Sequence, residues 1–175
     1  MYAPGEDRTR PQLVILGVHL KSKLNIEGKD FEGRGRRQAE LATLVAVYKA
    51  LDARWKGEVP ILIMGDMNGV AQPEHCDPEF APLYKDTDLR ELLHLKGLRP
   101  EERVTYIYFN RTGQRFEQQL DYIFLPQRFA SLVDLENSCV YYYKDEQGQT
   151  MALPHNYLLK SLPPSDHYPV IITLK

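Results

Sequence analysis

Asp166-His167 stands at the mouth of an apolar closing stretch, Tyr168-Pro169-Val170-Ile171-Ile172-Thr173-Leu174, and so puts a carboxylate beside an imidazole at the end of a candidate strand. Such a pair can hold a cation, orient a water or move a proton, but an Asp-His dipeptide alone proves little. Three further polar clusters end or interrupt apolar stretches: His19-Leu20-Lys21-Ser22, Gly65-Asp66-Met67-Asn68 and Leu120-Asp121-Tyr122-Ile123. Four clusters of this kind in one short chain suggest convergence on a single site.

Each cluster has a chemical reading and a plainer one. If the strand continues through Asp66-Met67-Asn68, its period of two puts carboxylate and amide on one side, where they suit a hard divalent cation or an attacking water. The same residues are also rich in turn formers. A lone ionised Asp121 inside Leu-Asp-Tyr-Ile-Phe-Leu would carry a desolvation cost of several kcal/mol, which His167 as partner would relieve. That pairing would fix the imidazole tautomer and raise its basicity; alternatively Asp121 faces solvent from an edge strand. His19 ends an apolar strand, where a histidine is more often a satisfied core residue. Lys21, Arg34, Arg36 and Arg37 nearby form either a cationic rim suited to phosphate or an ordinary solvated face. Tyr106 and Tyr108 share one strand face and Thr105, Ile107 and Phe109 the other; one set is core and the other could stack a substrate ring. His75, His94 and His155 have no supporting pattern and read as structural or surface residues.

The elements that must position these groups follow from periodicity. Residues 12–20 form a β-branched, nearly continuous apolar run, the pattern of a strand buried on both faces. Residues 21–35 carry three glycines and alternating charges, which predicts a long mobile loop rimming the site. Leu41, Leu44, Val45, Tyr48 and Leu51 set the helical spacing for residues 36–54, and residues 59–65 repeat the buried-strand pattern. The expected result is strand, helix, strand, with the helix on the outside of a sheet. Residues 89–95 look like a short helix, while 104–109 and 116–125 read as strands joined through Asn110-Arg111-Thr112-Gly113 into a hairpin. With 138–144 and 168–174, at least six strands stand against two helices, an α+β layered domain. The connection 145–164 could also fold over the site.

A length of 175 residues with 43% hydrophobic content supports one domain, 1–175, with a real core. The formal charge of -2 gives no global basic footprint, so affinity for nucleic acid would have to come from a local patch. Cys76 and Cys139 lie far apart without metal-type spacing, which predicts two reduced thiols. No apolar run reaches membrane-spanning length, and the polar start lacks the apolar segment of a signal peptide, so a soluble protein is expected, cytoplasmic or secreted.

Taken in order, His19-Leu20-Lys21-Ser22, Arg37-Gln38-Ala39 opening a helix, Gly65-Asp66-Met67-Asn68, Leu120-Asp121-Tyr122-Ile123 and Ser165-Asp166-His167-Tyr168-Pro169-Val170 resemble the endonuclease/exonuclease/phosphatase superfamily of DNase I-like proteins. The resemblance implies a layered β-sandwich with flanking helices and hydrolysis of a phosphate ester by in-line attack of water, dependent on Mg2+ or Mn2+, or on Ca2+. By position, Asp66 would orient or deprotonate the water, with Asn68 beside it on phosphate or metal. His167, held by Asp121, would contact the phosphoryl group, and His19 would stabilise developing charge or assist the leaving group. Asp166 would ligate the cation together with Asp66 and Asn68, and Lys21, Arg36 and Tyr106 would contact substrate. A phosphodiesterase or nuclease is the first expectation; a phosphomonoesterase on a lipid or sugar phosphate, or a non-catalytic half-domain acting as an interaction module, are the alternatives.

The resemblance covers only the C-terminal half of that fold. Members carry an N-terminal half with an early Asn and a metal-binding Glu, whereas His19 arrives almost at once here and Glu6 lies in a polar, proline-containing lead. One sheet of a sandwich buries its inner face against the other, so this half is expected to expose apolar side chains and to need a cover: a missing N-terminal half-domain or a second copy in a homodimer.

Overall fold

The computed structural model describes residues 10–23 and 30–175. Glu6 and the middle of the 21–35 segment lie outside them. Strand β1 (Val14–His19) leads through a short 3-10 turn (Phe31–Gly33) into helix α1 (Arg34–Arg54), which returns to strand β2 (Ile61–Asp66). β1 and β2 pair in parallel, so this is the expected strand-helix-strand unit. Strand β3 (Leu89–Glu91) and helix α2 (Ala81–Lys85) precede helix α3 (Leu92–Leu95); strands β4 (Tyr106–Phe109), β5 (Arg115–Gln118), β6 (Asp121–Pro126), β7 (Cys139–Val140) and β8 (Val170–Ile171) follow. The main sheet runs β1-β2-β6-β3, with β4-β5 and β7-β8 as two small antiparallel pairs. Sheets and flanking helices make the domain α+β.

Alternation along the strands divides the core. Ile61 and Ile63 of β2, and Tyr122 and Phe124 of β6, join Leu41, Leu44, Val45 and Tyr48 of α1 in one buried cluster. Leu62, Ile123 and Leu125 point the other way and gather Leu92 and Val133. A third cluster, Leu93, Val104, Ile107, Val140 and Tyr168, ties the small sheets to the main one. Burying this much apolar surface, at about 25 cal/mol per Å2, is the main stabilising term.

Several expectations are corrected. β1 is not buried on both faces: it is an edge strand, and Ile15 is 54% exposed while Val14, Leu16 and Val18 pack toward α1. The segment 89–95 is not one helix, because Leu89–Glu91 pairs with β6 before the chain turns into α3, whose first amides the Glu91 carboxylate accepts. The segment 116–125 is not one strand but two. It breaks at Gln119-Leu120, where the buried Thr105 hydroxyl accepts the Leu120 and Asp121 amides and releases β6 to pair with β2 and β3 instead of β4. The strands expected at 138–144 and 168–174 shorten to β7 and β8.

The second face of the main sheet is partly uncovered. Leu13, Leu62, Leu125, Phe129, Leu132, Val133 and Leu174 line a groove of about 330 Å3 there, and Leu132, Ile171 and Leu174 stand 45%, 39% and 47% exposed. Among the described residues no helix is long and apolar enough to cross a membrane.

Candidate active site

Register alone gathers three of the chemical groups. His19 opposes Asp66 in the β1-β2 pairing, and Asp66 opposes Asp121 in the β2-β6 pairing, so the three lie in one row across the same end of the sheet. This close approach depends on Gly65, whose φ is +140° and whose missing Cβ would lie 1.9 Å from the Val18 carbonyl oxygen. His167 reaches the row through a bridge that pairs it with Tyr106 at the start of β4.

The His167 Nδ1 lies 2.8 Å from the Asp121 Oδ2, the pairing read from the buried setting of that carboxylate. Asp121's hydrogen bond raises the His167 pKa above the ordinary imidazole value against the effect of burial, with the Asp121, Asp66 and Asp166 charges helping. The Ser165 hydroxyl accepts the His167 amide at 3.0 Å, and the Tyr143 hydroxyl donates to the His167 carbonyl at 2.9 Å. His19 is exposed, with its Nε2 3.6 Å from the Asp66 Oδ2, and so is not a core histidine.

The strand does not continue through Asn68. β2 ends at Asp66, Met67 is buried, and Asn68 takes φ +50°, a left-handed conformation that asparagine tolerates better than most residues. The turn and the polar cluster are therefore the same object. The Asn68 amide and side-chain nitrogens donate to the two Asp66 carboxylate oxygens at 2.7 and 3.0 Å, and Nδ2 also donates to the Leu20 carbonyl. Burial pushes the Asp66 carboxyl above its ordinary value, with the Asp121 charge adding to it and the Asn68 amide opposing.

A pocket of about 440 Å3 opens beside this row, lined by Asn68, Tyr106, Tyr108 and His167, all singled out from the sequence, and, unforeseen from it, by Lys23, Gln118 and Leu120 among others. Tyr106 packs on the imidazole at 4.7 Å between centroids, and rings continue through Tyr108 to Phe116 at 5.8 and 4.8 Å. The hairpin alternation of aromatics was a legible signal for these.

The expected basic rim is largely engaged elsewhere. Arg37 is fully buried, held by Glu79 at 2.7 Å and donating to the Lys21 and Glu32 carbonyls, so it clamps the loop and is not open to phosphate. Arg36 lies along the helix toward Glu40 at 3.6 Å and does not line the pocket. Lys21 contributes its backbone to Glu40 and places its ammonium 3.4 Å from the Ser22 hydroxyl.

Nor do Asp66, Asn68 and Asp166 form a cation-binding set by themselves. Asp166 faces the Lys160 ammonium at 3.0 Å, both Asp66 oxygens accept from Asn68, and among the described residues no group of three or more acidic, His or Cys side chains could hold a metal ion. The residues present do not fit a resident divalent cation without additional ligands.

No protein-family model and no curated protein matches the sequence. Similarity appears at the level of structure. Truncated TDP2 from Caenorhabditis elegans matches 91% of this chain and 53% of its own with a TM-score of 0.56 at 15% identity. TDP2 from D. rerio, crystallised with a single strand DNA product, matches 93% and 56% with a TM-score of 0.57 at 16% identity. The chain thus shares its fold with these TDP2 structures, and it spans about half the length of the solved structures it matches.

Proposed function

We propose that this chain carries the hydrolytic side of a phosphoesterase site, acting on a phosphodiester with nucleic acid as the substrate class. The observation that supports the reading is the transverse row His19, Asp66 and Asp121 with His167 bonded to its end, opening on a pocket. Two carboxylates and two histidines from separate segments are more than a fold needs at one sheet edge, and the raised proton affinities of Asp66 and His167 suit proton transfer.

Water attacks phosphorus in line with the departing ester oxygen. Asp66 accepts the water proton as the new P–O bond forms and the ester P–O bond breaks; its raised proton affinity makes it a stronger base than an ordinary aspartate. Asn68 orients that carboxylate through two hydrogen bonds. His167, kept in one tautomer by Asp121, meets the phosphoryl oxygens, and His19 stabilises the leaving oxygen from the exposed side. Tyr106 packs against substrate beside His167, while Lys21 and Arg36 remain candidates for outer contacts. A Mg2+, Mn2+ or Ca2+ ion would need oxygen ligands beyond those of this chain's described residues. A second polypeptide unit on the open sheet face, either a complementary half-domain or a second copy, is the natural source of both cover and ligands.

The test is hydrolysis of plasmid DNA and bis(p-nitrophenyl) phosphate with and without Mg2+ or Mn2+. Asp66→Ala and His167→Ala should each lower turnover by about 10²–10⁴-fold while the fold is retained. Full turnover in both variants would refute the reading.

A further inference from the structure

One cation beside this site is a residue that the sequence pattern did not single out. Lys160 sits on a single 3-10 turn (Leu158–Ser161) within the connection between β7 and β8. That turn is held by Asn156, whose side-chain oxygen accepts the Leu159 amide at 3.1 Å, and by the Ser161 hydroxyl donating to the Leu158 carbonyl at 3.0 Å. Pro163 and Pro164 then stiffen the approach to Ser165-Asp166-His167. The Lys160 ammonium lies 3.0 Å from the Asp166 Oδ2 and 5.7 Å from the centroid of the Tyr106 ring, the ring that packs on His167. Lys160 and Asp166 line a cleft of about 510 Å3, and Tyr106 and His167 line the pocket next to it. Lys160 thus lies between Asp166, which lines the cleft, and Tyr106, which lines the pocket.

An ion pair at the surface contributes at most about 1 kcal/mol, and a lysine gives up rotamer freedom worth up to about 2 kcal/mol when it is held, so stability does not explain this placement. The side chain is only 26% exposed, which is low for a lysine. An ammonium has three donors, and the Asp166 carboxylate and the Tyr106 face leave capacity for a further acceptor. An anion lodged against His167 would find Lys160 across the Tyr106 ring.

From this geometry we infer that Lys160 is a substrate-binding residue: it grips the phosphate of the ester, and Asp166 and Tyr106 position it for that task. Positive charge at Asp166 is in this way supplied by the chain itself. The inference rests on the phosphoesterase reading and adds to it a phosphate contact from the β7-β8 connection.

Inorganic phosphate titrated into the purified chain, followed by the His167 imidazole NMR signals, provides the test. Wild type should show saturable shifts at His167. Lys160→Met should weaken phosphate binding about tenfold or more, and Lys160→Arg should stay within about threefold of wild type, since the charge is kept. In hydrolysis, Lys160→Met should raise KM with little change in kcat, as expected for a residue that binds substrate without entering the reaction. Unchanged phosphate binding in Lys160→Met, with wild type responding normally, would overturn the role of Lys160 alone. Absence of any response at His167 in wild type would instead overturn the phosphate-site reading on which the inference stands.

Discussion

The molecule holds two histidine-carboxylate pairs of the same length and opposite consequence. Asp121 meets His167 at 2.8 Å, and Glu74 meets His94 at 2.8 Å. Glu74, however, is also gripped by both terminal nitrogens of the buried Arg103, at 2.9 and 3.1 Å. Partial burial works against its charge, yet Arg103 overrides that and holds the carboxyl down at about 2. The carboxylate of that pair serves the guanidinium, and His94 caps a structural ion pair at the surface. Among the described residues Asp121 has no such competitor, and its hydrogen bond raises the His167 pKa beside a pocket. Contact distance therefore does not make a pair catalytic. Both rings border a cavity, so what separates the pairs is whether the carboxylate is already neutralised by another cation.

Kinetics offers the hardest blow to this contrast. Asp121→Asn should reduce turnover by about 10²-fold or more, because the imidazole loses the partner that sets its tautomer, whereas Glu74→Gln should leave turnover within about threefold. Equal losses, measured on the same diester, would erase the distinction.

Stability should rank the same two variants the other way. Glu74→Gln leaves Arg103 buried with a weakened partner and should cost about 1–3 kcal/mol in urea unfolding, more than Asp121→Asn does.

Proton affinity sharpens the picture further. The His167 midpoint, read by NMR titration, should lie above about 6.5 in wild type and fall in Asp121→Asn. Since the folded-state pKa is raised, the stabilisation from protonated His167 is fully present below the unfolded value and is lost as pH rises through the folded one. A wild-type midpoint at or below 6.5 would contradict the raised affinity.

The smallest expected effect concerns the open sheet face. Ile15→Glu should change the stability of the isolated chain by no more than about 0.5 kcal/mol, since Ile15 is 54% exposed, yet it should abolish association through that face in sedimentation experiments. A large loss of stability in the monomer would mean that Ile15 is already packed.

Much of the frame was legible. Apolar runs and helical spacing located β1, α1 and β2 to within a few residues, because burial in a sheet or on one helix face imposes a local period. The two-sided burial assigned to β1 failed because an edge strand with the same composition leaves one face open. The turn at Asn68 was legible, but not that its amide and side chain would both bond Asp66. Arg37 looked like a rim cation and is a buried clamp, since charge in sequence says nothing about which carboxylate lies opposite. Lys160 carried no periodic signal at all.

By itself the sequence determined the order β1, α1, β2 and delivered Asp66 and Asp121 at strand ends, with Asp166-His167 just before β8. Only the tertiary structure decided the rest: that β2 and β6 pair Asp66 with Asp121, that a histidine 46 residues away takes Asp121 while His94 takes Glu74, and that Lys160 rather than a second carboxylate stands at Asp166. The reason is physical. Secondary structure follows from neighbours along the chain, whereas partner choice follows from strand register and loop path, which are set by packing between segments far apart in sequence.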